Sequence, residues 1–280
     1  MYRTIRQNFF TVPILSGVVI PTLIFGMIAS IMFFVDFNMT KLYMFLAGYF
    51  VFMIMGITIG YHRYFCHKSF VLKGRFGKWK ERFILWAGAL AGQGSPIFWV
   101  TIHRGYHHRN PDSEKDPHSP VHGFWNSFIL WMFKLDGSKV NPKYAVDLFR
   151  NTEIVFIHEN YTKIFMIFNI GLYLIDPNLF WYFSMMPVFI TLMSYNITNS
   201  LNHMKEFGYA NFPTKDNSRN VPWLWPFVLG ECWHNNHHGR PGAYHFGSGA
   251  SGKWWEFDPA GFIIRLYRDA PANGNRGPLS

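Results

Sequence analysis

Two long uncharged stretches lie near the start of the chain. Residues 11–35 and 42–61 contain no Asp, Glu, Lys or Arg and are rich in aliphatic and aromatic side chains. A helix of about 20 apolar residues crosses the roughly 30 Å hydrocarbon core of a bilayer. Each stretch therefore predicts a membrane-spanning helix.

A third apolar region follows later in the chain and is interrupted by an Asp-Pro pair at 176–177. The interruption predicts two more spans, at 160–175 and 178–198, joined by a tight turn. The first of these has only twelve uncharged residues before the turn, from Ile164, so it has to include the preceding polar residues.

The stretch 83–102 is also uncharged, but it contains Gly88, Gly92, Gly94 and Pro96. Glycine and proline make a straight span unfavourable. We therefore expect an embedded or interfacial helix here.

Basic residues around the spans predict the orientation of the chain. Arg3 and Arg6 precede the first span, and seven Lys or Arg residues follow the second. The only charged residues between the two spans are Asp36 and Lys41. The positive-inside rule then places both termini in the cytoplasm, with four crossings. We expect one all-α domain over residues 1–271, with a cytoplasmic helical cap, and a disordered tail at 272–280.

Composition agrees with a membrane protein, since 49% of residues are hydrophobic and 20% are aromatic. The net charge of +10 falls mostly on the inferred cytoplasmic side. That charge suits anionic lipid headgroups or an acidic partner protein, and the positive-inside rule alone explains it equally well.

Thirteen histidines gather just outside the spans, on one predicted side of the membrane. Neutral imidazole is a common metal ligand, and a set without a cysteine pair and with few nearby carboxylates suits iron, zinc or copper. Eight histidines in three short clusters, together with the single His203, are called here the nine clustered histidines: His62, His67, His103, His107, His108, His203, His234, His237 and His238.

The spacing within the clusters predicts which rings converge. On an α-helix His103 and His107 share a face, while His108 points about 100° away, toward a second centre. His62 and His67 lie about 140° apart and converge only if the helix ends between them or two metals flank it. His234, His237 and His238 fall within one sector of about 100° and converge on one point or two adjacent points.

The clusters and their surroundings resemble the integral-membrane fatty acyl desaturases of the stearoyl-CoA and acyl-lipid delta-9 type. The resemblance runs from about residue 56 to 259, in the right order, through GITIGYHRYFCHKSF, QGSPIFWVTIHR, SEKDPHSP, NSLNH, GECWHNNHH and KWWEFDP. The middle cluster has one more residue, Tyr106, than is usual in that family. We interpret it as the mark of a subgroup.

The resemblance implies a centre of two iron ions held by the nine clustered histidines, with Asn199 reaching one iron through water. It implies no catalytic side chain beyond this metal centre. Gln93 and Trp99 match residues that shape the bend of the acyl tunnel. Phe50, Ile54 and Tyr195 are bulkier than the residues usual in the family, which suggests a shorter tunnel and a medium or short acyl chain.

The implied substrate is a fatty acyl chain carried by coenzyme A, acyl carrier protein or a lipid. The sequence contains no His-Pro-Gly-Gly haem motif, so the electrons must come from a separate protein such as cytochrome b5, ferredoxin or rubredoxin. The bilayer is the other expected partner, and no nucleic acid is expected.

The leading hypothesis is an oxygen-dependent acyl desaturase that inserts a carbon–carbon double bond. A membrane di-iron hydroxylase or alkane monooxygenase shares the same histidine pattern, and an acetylenase that forms a triple bond remains open. A metal transporter or sensor fits poorly, because transporters place polar ligands near the bilayer midplane. A Glu-x-x-His motif at Glu231 occurs in one copy, whereas soluble four-helix di-iron proteins need two.

Overall fold

The computed structural model describes residues 14–271 and is mostly helical, as the apolar runs predict. The expected disordered tail at 272–280 and the first residues of the first span lie outside the described residues. The α-helical elements are α1 (Leu15–Val35), α2 (Met39–Cys66), α3 (Gly74–Ala89), α4 (Pro96–Ile102), α5 (Trp131–Lys134), α6 (Thr152–Ile175), α7 (Met186–Leu201), α8 (Trp225–Val228), α9 (His234–Gly239), α10 (Ser248–Ser251) and α11 (Pro259–Tyr267).

Several segments depart from α-helical geometry. The π-helical parts are Leu15–Val19 in α1, Phe50–Cys66 in α2, and the separate segments His103–His107, Asn126–Leu130 and Leu179–Met185. Short 3-10 turns cover Pro120–His122, Gly137–Lys139, Pro142–Ala145, Leu148–Arg150, Pro222–Leu224 and Leu229–Cys232. Strands β1 (Phe70–Val71) and β2 (Ala270–Pro271) pair antiparallel.

Within residues 14–271, α1 and α2 are the two helices long and apolar enough to cross a membrane. Helix α6 begins earlier than the predicted start at residue 160, because Asn151 caps it by accepting hydrogen bonds from the backbone N–H groups of Glu153 and Ile154. A kink in α6 lies at Asn160. The predicted turn at Asp176 separates α6 from the helical residues that lead into α7.

The described chain divides into two compact units. The first, called here the apolar unit, contains residues 14–61, Phe83–Thr101 and Leu135–Met193. Its α1 and α2 pack against the π-helical segment Leu179–Met185. Part of its core is a cluster of Ala29, Phe33, Tyr182 and Met186.

The uncharged stretch 83–102 contains two helices rather than one. Between α3 and α4 the backbone turns at Gly92 and Gly94, which have φ angles of +73° and +95°. The Gly94 N–H donates a hydrogen bond of 2.9 Å to the Tyr161 hydroxyl. Positive φ is readily accessible to glycine, so these residues allow the helix to break here.

Close helix packing in the apolar unit gives a stability prediction at Gly48. A Cβ atom added there would lie 1.9 Å from the carbonyl oxygen of Phe183 and 2.6 Å from Cγ of Pro187. We expect Gly48→Ala to cost about 1–3 kcal/mol of stability through overpacking. A lowered thermal midpoint of the detergent-solubilised protein would show it.

Gly171 in α6 is the matched control, since no atom lies within 4 Å of its added Cβ. Gly171→Ala should keep or slightly raise the midpoint, because alanine is the better helix former. Equal midpoints for the two variants would contradict the close packing at Gly48.

The second unit, called here the histidine unit, contains His62–Arg82, Ile102–Lys134 and residues 194–271. Its apolar core contains Val221, Leu224, Val228, Cys232, Trp233 and Phe246. All nine clustered histidines belong to this unit.

Candidate metal centre

Two π-helical turns set the direction of four histidines. The His67 N–H donates to the His62 carbonyl at 3.1 Å, and the His108 N–H donates to the His103 carbonyl at 2.9 Å. Such i→i+5 bonds place residues five apart on one face. The expectation that His103 shares a face with His107 was therefore wrong, because α-helical spacing does not apply to this segment.

Five imidazoles form the first group, which is lined by both π-helical turns and α9. One ring nitrogen from each lies within 4.8 Å of all the others. The His237 Nε2 atom lies 3.0 Å from that of His62 and 2.9 Å from that of His108. The members of this five-histidine group are His62, His67, His103, His108 and His237.

Four imidazoles form the second group, within the same distance limit. The His234 Nε2 atom lies 3.0 Å from that of His203, and the His238 Nε2 atom lies 3.2 Å from that of His107. This four-histidine group consists of His107, His203, His234 and His238.

Helix α9 supplies both groups. His237 turns to the five-histidine group, whereas His234 and His238 turn to the four-histidine group. The rings of His108 and His238, one from each group, stack with centroids 4.4 Å apart. Of the two arrangements predicted for this cluster, the structure has two adjacent points of convergence.

Carboxylates that are buried or half-buried hold four of the nine rings by Nδ1. The pairs are Glu231 with His62 at 2.8 Å, Asp116 with His107 at 2.9 Å, Asp112 with His203 at 3.0 Å and Asp216 with His238 at 2.6 Å. A carboxylate on one ring nitrogen fixes the tautomer and makes the other nitrogen a better ligand. Sequence reasoning missed all four acids and expected few carboxylates near the histidines.

Glu231 is itself held by a buried arginine. Arg63 is fully buried and donates to Glu231 Oε1 at 3.0 Å and to Asp258 Oδ2 at 2.7 Å. The Glu-x-x-His motif at Glu231 thus places its carboxylate beside His62, on a different histidine from the one in the motif.

Burial favours the neutral form of six of the imidazoles. Desolvation, followed by repulsion from neighbouring imidazoles, lowers the pKa well below its ordinary value in His67, His103, His108, His234 and His237. Burial also lowers the pKa of His238 to about 3, although Asp216 acts in the opposite direction. Neutral imidazole is the form that binds metal.

The ring nitrogen that carries the proton in each histidine shows whether the other nitrogen is free to bind a metal ion. His107 and His238 each donate Nδ1–H to an aspartate, so each Nε2 carries a lone pair. Two lone pairs facing each other at 3.2 Å repel unless a cation lies between them. Nitrogen ligands about 2.1 Å from one metal and at right angles lie about 3 Å apart. The donor set therefore fits metal ions that accept imidazole, such as iron, zinc or copper.

The other predicted site residues are divided between the two units. In the histidine unit, Asn199 is half-buried one turn before His203, outside both groups. Tyr195 is 7% exposed, and its ring centroid lies 6.4 Å from that of His62. Asn199 and Tyr195 thus both lie on α7, in the part that belongs to the histidine unit.

The four remaining tunnel candidates belong to the apolar unit. The Trp99 indole N–H donates to Gln93 Oε1 at 3.1 Å, and the Gln93 amide donates to the Thr191 carbonyl at 3.2 Å. Ile54 is half-buried and Phe50 is 43% exposed. Gln93 and Trp99 thus form a fixed polar pair.

Four histidines lie outside the two groups. His118 has its Nδ1 3.2 Å from Asp116 Oδ1, and His245 has its Nδ1 3.7 Å from Asp258 Oδ2. His158 is hydrogen-bonded to the hydroxyl of Ser95, and His122 is exposed. His118 thus contacts the same aspartate that holds His107.

The amino-acid sequence of this chain is similar to those of known proteins. Residues 39–248 match the family described as Fatty acid desaturase. Delta-9 acyl-lipid desaturase 1 of Arabidopsis thaliana is 37% identical over 228 residues, covering 76% of this chain and 67% of the relative. The sn-2 palmitoyl-lipid 9-desaturase of Nostoc sp. (strain 36) is 36% identical, covering 76% and 73%, and the sn-1 stearoyl-lipid 9-desaturase of Anabaena variabilis is 35% identical, covering 76% and 75%. The chain is therefore an oxidoreductase that belongs to the fatty acid desaturase family.

Proposed function

We propose that this protein is an oxygen-dependent desaturase that inserts a double bond into a fatty acyl chain, using one iron at each histidine group. The observation that carries the proposal is the presence of two adjacent sets of converging imidazoles in a member of this family. Membership of the family implies iron, and the two sets support two iron ions.

The nine histidines would hold the irons, with Asn199 acting through water. When bound, two irons would supply the oxidising chemistry that, with dioxygen and two electrons from a donor protein, removes hydrogen from an unactivated methylene, which side chains alone cannot do. The protein's part is to position and protect the centre. The carboxylates fix the ring tautomers, and the burial of six of the nine histidines limits access of water.

A lipid-linked acyl chain is the substrate class we propose first. The named relatives are acyl-lipid, palmitoyl-lipid and stearoyl-lipid desaturases, which supports a lipid carrier over coenzyme A or acyl carrier protein. The four-span topology, with the histidine unit and both termini in the cytoplasm, is part of the same proposal. It rests on the two candidate spans α1 and α2, on the apolar region broken at 176–177 and on the distribution of basic residues.

A separate electron donor completes the reaction. A small acidic carrier such as cytochrome b5, ferredoxin or rubredoxin would suit the net charge of +10.

Expression in a desaturase-deficient host tests the reaction. Lipid mass spectrometry should show acyl chains with two hydrogens fewer than in the same host carrying the empty vector. Acyl chains that gain one oxygen would identify a hydroxylase instead, and chains that lose four hydrogens would identify an acetylenase.

The proposed preference for a medium or short acyl chain can be tested at Tyr195. The family's usual residue there is threonine, and the larger ring is one reason for proposing a medium or short acyl chain. We expect Tyr195→Thr to shift the preference toward longer chains by two or more carbons, measured with acyl donors of graded length. A wild-type preference for sixteen to eighteen carbons would overturn the short-tunnel proposal, and a preference that Tyr195→Thr leaves unchanged would remove Tyr195 from it.

A further inference from the structure

The buried carboxylates are distributed unequally between the two histidine groups. We infer that the two metal positions are inequivalent, and that the four-histidine group binds its iron more tightly than the five-histidine group. The inference rests on the proposed two-iron function, and it assigns Asp112, Asp116 and Asp216 as residues that position the ligands and strengthen this one position.

Three of the four histidines in the tighter group have an aspartate on Nδ1. The aspartate side chains are fixed and mostly buried, at 13% exposed for Asp112, 1% for Asp116 and 7% for Asp216. Backbone N–H groups also bind them, from Asn217 to Asp112 and from Ser218 to Asp216. The carboxylates are therefore held in place before any metal binds.

Each of these three aspartates accepts a hydrogen bond from a ring nitrogen of the four-histidine group. That group thus has three carboxylates directly behind its ligands.

The five-histidine group has a different electrostatic environment. Its carboxylate Glu231, on His62, also accepts a hydrogen bond from Arg63, so a positive charge lies beside it. The buried Nδ1 of His237 has no hydrogen-bond partner within residues 14–271. Nδ1 of His234, in the four-histidine group, likewise has none there, so the two groups do not differ in this respect. Glu231 beside a positive charge, against three aspartates, leaves less negative charge behind the ligands of the five-histidine group.

The physical consequence is that the two histidine groups differ in their affinity for iron. An imidazole that donates Nδ1–H to a carboxylate is more basic at Nε2, and loss of such a partner costs about 10–100-fold in metal affinity. A divalent cation is also attracted by the three carboxylates directly. The four-histidine position should fill first and empty last.

Anaerobic titration of the metal-stripped, detergent-solubilised protein with Fe²⁺ against a chromophoric chelator tests the inference. The wild type should bind two irons in two separable steps. Asp216→Asn should weaken the tighter step by about 10–100-fold, whereas His67→Ala should remove the weaker step and leave the tighter one unchanged.

Further variants separate this effect from misfolding. Asp112→Asn should weaken the same step as Asp216→Asn, and Asp216→Glu, which keeps the charge, should restore most of the affinity. Circular dichroism and the thermal midpoint establish that each variant is folded. Two irons bound with equal affinity, or a tighter step unchanged in both Asn variants, would overturn the inference alone. A wild type that binds a single iron would overturn the two-iron function together with it.

Discussion

Replacing Arg63 by leucine is expected to destabilise the protein by about 3–5 kcal/mol, the cost of breaking a buried ion pair by removing one partner. The guanidinium is fully buried between Glu231 and Asp258, and it also donates to the Tyr244 carbonyl at 2.8 Å. Its Cζ atom lies 3.8 Å from the ring centroid of Phe246. Without it, two carboxylates are left buried beside each other.

Loss of Arg63 should also reduce iron binding, because Glu231 would no longer be held toward His62. The thermal midpoint and the iron content of the solubilised protein measure the two effects. Arg265→Leu is the matched control, since Arg265 is exposed on α11 and should tolerate the change. Arg63→Lys should recover only part of the loss, because an ammonium lacks the planar fork that reaches both carboxylates. A midpoint for Arg63→Leu equal to that of Arg265→Leu would disprove the buried ion-pair network.

The apolar helices could be predicted closely from the sequence. The runs at 11–35 and 42–61 correspond to α1 and α2, because uninterrupted apolar composition is a strong signal for a long helix. The exception is the end of α2, which continues to Cys66 through His62 and Arg63. These polar residues stay buried because distant acids pair with them, and no local pattern reveals such partners.

The nine histidines could be found from the sequence, but their grouping could not. Grouping depends on whether the backbone bonds run from residue i to i+4 or to i+5, and the two cases give different faces. The π-helical turns at 62–67 and 103–108 pair His62 with His67 and His103 with His108. Only coordinates distinguish this pairing from the α-helical one.

Two of the supporting acids were missed because they are remote in sequence from the rings that they hold. Asp112 is 91 residues from His203, and Glu231 is 169 residues from His62. Asp112 also has a φ angle of +52°, in a loop without periodicity. A cluster of histidines can be recognised within one segment of the sequence, whereas its carboxylate partners become neighbours only when the chain folds.

Replacing His237 by alanine is expected to abolish desaturation and to remove the iron of the five-histidine group. Its Nε2 atom lies within 3.0 Å of those of both His62 and His108, so it is central to the group. We expect iron content to fall from two per chain to one, with the remaining iron at the four-histidine group. The loss of activity should exceed the roughly 10–100-fold that follows removal of an outer partner of a ligand.

The control for this prediction is His122→Ala. His122 belongs to the same unit but is exposed and lies outside both groups, so its removal should leave iron content and activity unchanged. His237→Gln separates ligand loss from the loss of a buried side chain, because an amide fills much of the space yet binds iron poorly. If His237→Ala kept both irons and activity within tenfold of the wild type, the convergence of these rings would have no role in catalysis. The desaturase chemistry would then need a different centre.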